Sequence, residues 1–351
     1  MIDRILVALD GSKVAEQALP AAAGLAEKSG AEIVLLTAIA PAERWADAQT
    51  PGWEEEEQAL ARGYLDSVAR PFRDNGAAVR VRVLWGRAGE MICEAADEEN
   101  ADLIVMTTHG RSGIRRMLLG SVADNVLRTA RRPLLLIAAQ EAAPPVLHLR
   151  RVLVPLDGSR LAETALPFVL RLLKGTQASI LLERVVVPPS LLYSEQYMPS
   201  NLPMLGDMEA EAQDYLETTQ LHLETNGLSV VSNVETGFPA ETIVDAAQRF
   251  QADLIALTTH GRTGPARTIL GSVADSIVRG AGRPCLIIPA RVVAPHRKEA
   301  VTHPPVTLGI EPVPTVVPPP AMRETPVGSR GRVKAPPVRQ HRPEGPNLRK
   351  A

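Results

Sequence analysis

At 351 residues the chain has room for about two domains, and its 45% hydrophobic content with 3% aromatics means cores built from Leu, Val, Ile and Ala. Its formal charge of −2 hides a split: residues 291–351 carry 11 Lys/Arg against 4 Asp/Glu, and the first 290 carry 27 against 36. An acidic body argues against general nucleic-acid binding, and one cysteine in each half (Cys93 and Cys285) excludes a disulfide framework or a cysteine-rich zinc site.

Met1 runs straight into a strand pattern, Arg4-Ile-Leu-Val-Ala-Leu9, without signal-peptide architecture. No apolar run approaches the roughly 18 residues of a membrane span, so a soluble cytoplasmic protein is expected. Short apolar runs then alternate with helical patterns, the signature of βαβ units and a parallel sheet. Strands are expected near 4–9, 32–39, 78–84, 102–106 and 134–138, with helices near 13–29, 54–75, 88–98 and 120–131. The second half repeats this, with strands near 151–156, 178–187, 229–235, 253–257 and 285–289. Each helix is long enough to cross back over the sheet right-handedly. The expected fold is two tandem doubly wound five-stranded domains, each an α/β/α sandwich. They span 1–140 and 150–290, joined by a linker at 141–149 that contains Pro144-Pro145.

Two irregular stretches interrupt the pattern at matching places, Pro41 to about Glu55 and Pro188 to about Asp207. Long loops in compact domains are either functional lids or surface insertions, and both readings stand. Beyond residue 291 the pattern ends: 13 prolines in 61 residues and no periodic apolar segment predict a disordered, basic, Pro-rich tail.

The halves share more than a pattern. Ile5-Leu-Val-Ala-Leu-Asp-Gly-Ser12 matches Val152-Leu-Val-Pro-Leu-Asp-Gly-Ser159, and Ala101-Asp-Leu-Ile104 matches Ala252-Asp-Leu-Ile255. Thr107-Thr-His-Gly-Arg-Ser-Gly113 returns as Thr258-Thr-His-Gly-Arg-Thr-Gly264, and Leu119-Gly-Ser-Val-Ala-Asp124 as Leu270-Gly-Ser-Val-Ala-Asp275. Nine residues separate Gly110 from Gly120, and Gly261 from Gly271.

Each loop follows an apolar strand, at the edge where open α/β sheets bind ligands. Gly110 and Gly120 would let backbone approach phosphate oxygens, Ser121 is an expected N-cap, and the helix behind it aims free N–H groups at an anion. Gly261, Gly271 and Ser272 repeat these parts. Arg111 and Arg262 could pair with phosphate or simply face solvent. Asp10 and Asp157 could accept a hydrogen bond from an adenine amine or ribose, or cap the following segment. His109 and His260 are expected to be hydrogen-bonded loop residues, because no carboxylate or nucleophile stands near them in sequence.

At these residues the chain resembles a tandem universal stress protein, with both domains covered and the tail outside. The family's nucleotide motif is Gly-x2-Gly-x9-Gly-Ser/Thr; here it is Thr107-x2-Gly110-x9-Gly120-Ser121 and Thr258-x2-Gly261-x9-Gly271-Ser272, with Thr in place of the first Gly. A Thr there could crowd a nucleotide or donate its hydroxyl. The resemblance implies strand order 3-2-1-4-5 and pairing of domains through their last strands, within one chain or in a homodimer. It also implies an ATP site at Asp10, Ala38, Thr107, Gly110, Arg111, Gly120, Ser121 and Val122. Asp157, Thr258, Gly261, Arg262, Gly271, Ser272 and Val273 would form the second, and Mg²⁺ could accompany the ATP. The adenine-facing edge expected near Ala38 is occupied near Arg184 in the second half, so the halves are expected to differ in affinity.

The leading expectation is an ATP-binding stress-response regulator with a protein partner. A slow ATP hydrolase is one alternative, although neither a Walker A loop nor a Gly-x-Gly-x-x-Gly is present and no catalytic or metal-ligating residue stands out. A nucleotide-free interaction scaffold of the same fold is the other.

Overall fold

The computed structural model describes residues 2–40, 52–109, 119–139, 147–192, 204–225, 227–259 and 270–290. Gly110, Arg111, His260, Gly261 and Arg262 lie outside these residues, as do the middles of both irregular stretches, most of the linker and the expected tail.

In the first half β1 (Arg4–Ala8), β2 (Glu32–Ile39), β3 (Val79–Trp85), β4 (Leu103–Thr107) and β5 (Leu134–Ile137) pair in the parallel order 3-2-1-4-5. In the second, β6 (Arg151–Pro155), β7 (Ser179–Val186), β8 (Ser229–Thr236), β9 (Leu254–Thr258) and β10 (Cys285–Ile288) repeat that order. The last strands meet antiparallel, Leu135 opposite Leu286, so the two halves share one ten-stranded sheet.

Strand side chains alternate between faces, and the helices cover both. One core holds Ile5, Val7 and Leu35 against α1 (Leu19–Ser29) and α2 (Trp53–Asp74), with α6 (Leu166–Leu173) and α8 (Leu205–Glu224) covering the same face of the second half. The opposite core holds Leu6, Leu36 and Ile104 against α3 (Ala88–Glu98) and α4 (Ser121–Thr129), continued by α9 (Pro239–Arg249) and α10 (Ser272–Gly280). Two four-residue helices, α5 (Arg160–Glu163) and α7 (Pro189–Leu192), complete the second half.

The helix expected over 13–29 is two pieces: a 3₁₀ turn at Ala15–Ala18 and then α1, whose second residue is Pro20. Proline has no N–H to continue a helix and is accepted only in a first turn. Pro167 starts α6 afresh after α5 in the same way.

Two repeated motifs set the strand ends. Asp102 Oδ2 accepts the backbone N–H groups of Asp3 and Arg4 at 2.8 and 3.1 Å, and Asp253 Oδ2 those of Arg150 and Arg151 at 3.0 and 2.9 Å. Each Asp thus satisfies the orphan donors that begin the neighbouring strand. Asp10 Oδ1 accepts from Ser12 N and Oγ at 3.0 and 2.6 Å, and Ser12 Oγ accepts Ala15 N at 3.1 Å. Asp157, Ser159 and Ala162 repeat this turn, and Gly11 and Gly158 supply its left-handed residue, each with φ of 82°.

Close helix packing also differs between halves. A Cβ on Gly89 of α3 would lie 2.3 Å from Asn125 Oδ1 and 3.0 Å from Asn125 Cβ on α4. At the corresponding places the second half has Ala240 and the smaller Ser276. Gly89→Ala is therefore expected to cost about 1–3 kcal/mol by overpacking, and adding Asn125→Ser should recover most of it in urea denaturation.

Candidate functional site

The carboxyl ends of β1, β2 and β4 open onto a cavity of about 250 Å³, roofed by the starts of α3 and α4. Ala8, Leu36, Ala38, Ala88 and Ile92 make an apolar wall. Opposite stand Asp10 and the segment Thr107 to His109, with Gly120, Ser121 and Val122 closing the far side. The loop is closed at its base: Gly120 N–H donates to Thr108 O at 2.8 Å. Gly271 N–H and Thr259 O do the same at 2.7 Å.

Helix α4 is capped differently from the expectation. Its N-cap is Gly120, in an extended conformation (φ −63°, ψ 150°), and Ser121 is the first helical residue. Gly120 has no side chain with which to cap this end, and its carbonyl accepts the first helical hydrogen bond, from Asp124 N–H at 2.8 Å. The N–H groups of Ser121, Val122 and Ala123 are thus left without helical acceptors where these residues line the cavity. That arrangement favours an anion. Gly271 caps α10 identically, with Ser272 as the first helical residue.

Thr107, standing where the family motif has glycine, is buried and turns its hydroxyl onto His109 O at 2.5 Å. Thr108 Oγ1 shares a hydrogen bond with His109 Nδ1 at 3.0 Å, so His109 is the hydrogen-bonded loop residue expected. Burial pushes the His109 imidazole below its usual value, keeping it neutral at neutral pH. Its Nε2 is buried and has no hydrogen-bond partner among the described residues. Asp10 serves its turn through Oδ1 while also lining the cavity, so capping and ligand contact do not exclude one another.

Of the first-half site residues, Asp10, Ala38, Thr107, Gly120, Ser121 and Val122 come together around this cavity. In the second half, Thr258, Gly271, Ser272 and Val273 occupy the matching ends of β9 and α10. Asp157 lines a different pocket, with Gly158, Ser159, Arg184, Glu211 and Tyr215. One expectation needs correcting. Arg4 pairs with Glu32 and Arg151 with Ser179, so the residue matching Ala38 is Val185, and Arg184 matches Thr37. Strand alternation therefore sends Arg184 to the opposite face of the sheet, where its guanidinium lies 5.1 Å over the Tyr215 ring and 3.5 Å from Glu211.

Ala88 and Ile92 escape a reading of the sequence, their one signal being the apolar face of α3. Glu183, at the position of Leu36, escapes it as well.

The universal stress protein family model matches residues 1–138 and again 148–289. The chain belongs to this family. As a tandem universal stress protein it is 32% identical over 142 residues to a universal stress protein of Methanocaldococcus jannaschii, covering 38% of this chain and 81% of that one. A longer relative from Mycobacterium tuberculosis is 25% identical over 243 residues, 67% of this chain and 78% of its own. The crystal structure of a universal stress protein from Archaeoglobus fulgidus covers 83% of this chain and 99% of its own at a TM-score of 0.66, with 22% identity. That likeness concerns the two-domain fold. Among the described residues, no helix is long and apolar enough to cross a membrane, and no group of three or more His, Cys, Asp or Glu is placed to hold a metal.

Proposed function

We propose that this universal stress protein is an ATP-binding regulator of a stress response, acting in the cytoplasm through a protein partner whose engagement depends on bound nucleotide. One observation carries the reading: Asp10, Ala38, Thr107, Gly120, Ser121 and Val122, drawn from separate stretches of sequence, line a single cavity. Its apolar wall suits a purine base, and the uncapped first turn of α4 suits phosphates. Asp10 stands near enough to the strand ends to meet a ribose, an adenine amine or a phosphate-bound Mg²⁺. The chemistry of the site is that of holding a nucleotide, since no carboxylate among the described residues pairs with His109 to make it a general base.

Isothermal titration of the full chain with ATP tests this. A micromolar Kd is expected, about −8 kcal/mol. Ala38→Leu, which fills the cavity from a partly exposed strand position, should weaken binding more than tenfold while leaving the circular dichroism unchanged. Trp53 and Trp85, whose rings lie 5.4 Å apart at the start of α2 and the end of β3, offer a fluorescence readout in the same domain. Parent-like affinity in the Ala38→Leu variant would place the nucleotide elsewhere, and a chain that bound none would favour the nucleotide-free scaffold.

A further inference from the structure

The two halves can be compared position by position, because β1–β2 and β6–β7 pair in one register. Ala8 faces Leu36, and Pro155 faces Glu183. Two residues further along, Ala38 corresponds to Val185. The helices opening over the site also correspond, α3 beginning at Ala88 and α9 at Pro239. Four wall positions of the first cavity are therefore Pro155, Glu183, Val185 and Pro239 in the second domain.

All four exchanges act against a purine. Replacing Ala by Val or Pro adds two carbons to a wall that in the first domain bounds only about 250 Å³. Leu181 and Val185 pack into the core beneath α9 and α10, and Glu183, two residues from each, shares their face of the strand. The Glu183 carboxyl is wholly buried and takes both its hydrogen bonds from Asn233 Nδ2, at 3.2 and 3.0 Å. A base docked there would meet a desolvated carboxyl in place of the Leu36 methyls. The phosphate end, by contrast, is unchanged: Gly271 and Ser272 repeat the cap geometry of Gly120 and Ser121.

We propose that the chain takes one adenine nucleotide, in the first domain, and that Pro155, Glu183, Val185 and Pro239 are the residues that close the second domain to it. This rests on the nucleotide reading of the first cavity and adds to it which domain is occupied and why. The duplication then leaves one ligand-responsive half paired through the sheet with one that does not change its ligand state.

Titration of the full-length chain with ATP should give a stoichiometry of one, and Ala38→Leu should weaken that single event more than tenfold. Combining Pro155→Ala, Glu183→Leu, Val185→Ala and Pro239→Ala should raise the stoichiometry to two, in protein whose folding is checked by its circular dichroism and thermal transition. Should this combination misfold, Glu183→Leu with Val185→Ala should still yield a second, weaker event. Two sites in the parent, or one site untouched by Ala38→Leu, would overturn the proposal. Folded multiple variants that remain at one site would overturn the assignment to these residues. A parent that bound no ATP would instead overturn the nucleotide reading and this inference with it.

Discussion

At pH 8 the Glu183→Leu variant should be more stable than the parent by about 3 kcal/mol, and the difference should shrink towards pH 5. Glu183 is wholly buried on β7, and its hydrogen-bond donor is the neutral Asn233. Arg249, the cation that acts on it, is paired to Glu235 instead. Burial is the main cause that pushes the Glu183 carboxyl up from 4.5 to about 7; Asn233 pulls it down, Glu235 pushes it up and Arg249 pulls it down. The folded chain therefore binds a proton that the unfolded chain releases near 4.5, so stability falls as pH rises from there and levels off above about 7. At about 1.36 kcal/mol per pH unit, that gap corresponds to about 3 kcal/mol. Leucine, the residue at the matching Leu36, removes the ionisation. Asn233 keeps a partner, since its Nδ2 also donates to Glu235 at 2.8 Å. Urea denaturation of both proteins at pH 5, 6.5 and 8 checks this. An equal gain at every pH would assign the effect to packing, and no gain at pH 8 would mean that the carboxylate is accommodated without cost.

The contrast between Glu183 and the rest of the site shows what a sequence makes visible. The Asp-Gly-Ser turns and the loops that begin at Thr107 and Thr258 are local. Each is built from residues within a few positions or at a strand end, so its spacing survives as a repeat. The same holds for the ten strands, which sit where the alternation puts them: the eight inner ones carry aliphatic runs buried on both faces, and the edge strands β3 and β8 are partly exposed. Capping failed by one residue because Gly120 and Ser121 both suit an N-cap, and backbone conformation alone selects between them. Assigning Arg184 to the position of Ala38 failed by one residue for a different reason: a slip of one reverses the face of a strand, and only pairing fixes the register. Glu183 was invisible because a lone Glu in Ser179–Val186 looks like a solvent-facing residue. Its burial depends on Asn233, fifty residues away on β8, and on the helices that cover that face.

Leu286→Asp should cost at least about 3–5 kcal/mol and abolish the ten-stranded sheet as a unit. Leu286 sits opposite Leu135 in the antiparallel pairing of β10 with β5, where every residue of both strands is nearly or wholly buried. An aspartate there would meet the aliphatic side chains of the seam, and must either remain unpaired among them or force the strands apart. Ion pairs do cross between the halves nearby. Arg279 reaches Asp124 at 3.0 Å and Asp275 at 2.8 Å, while Arg128 holds Asp124 at 2.9 Å and lies 3.9 Å from Asp275. All four side chains are about one-third exposed, so Arg279→Ala should cost no more than about 1 kcal/mol. Strand pairing and buried Leu and Ile, rather than this network, then hold the halves together. Opening the seam would expose two short aliphatic edges able to pair with another chain. Urea denaturation combined with size-exclusion light scattering should accordingly show Leu286→Asp destabilised and self-associating, and Arg279→Ala close to the parent in both. A comparable loss from the two substitutions would transfer the role of the seam to the ion pairs.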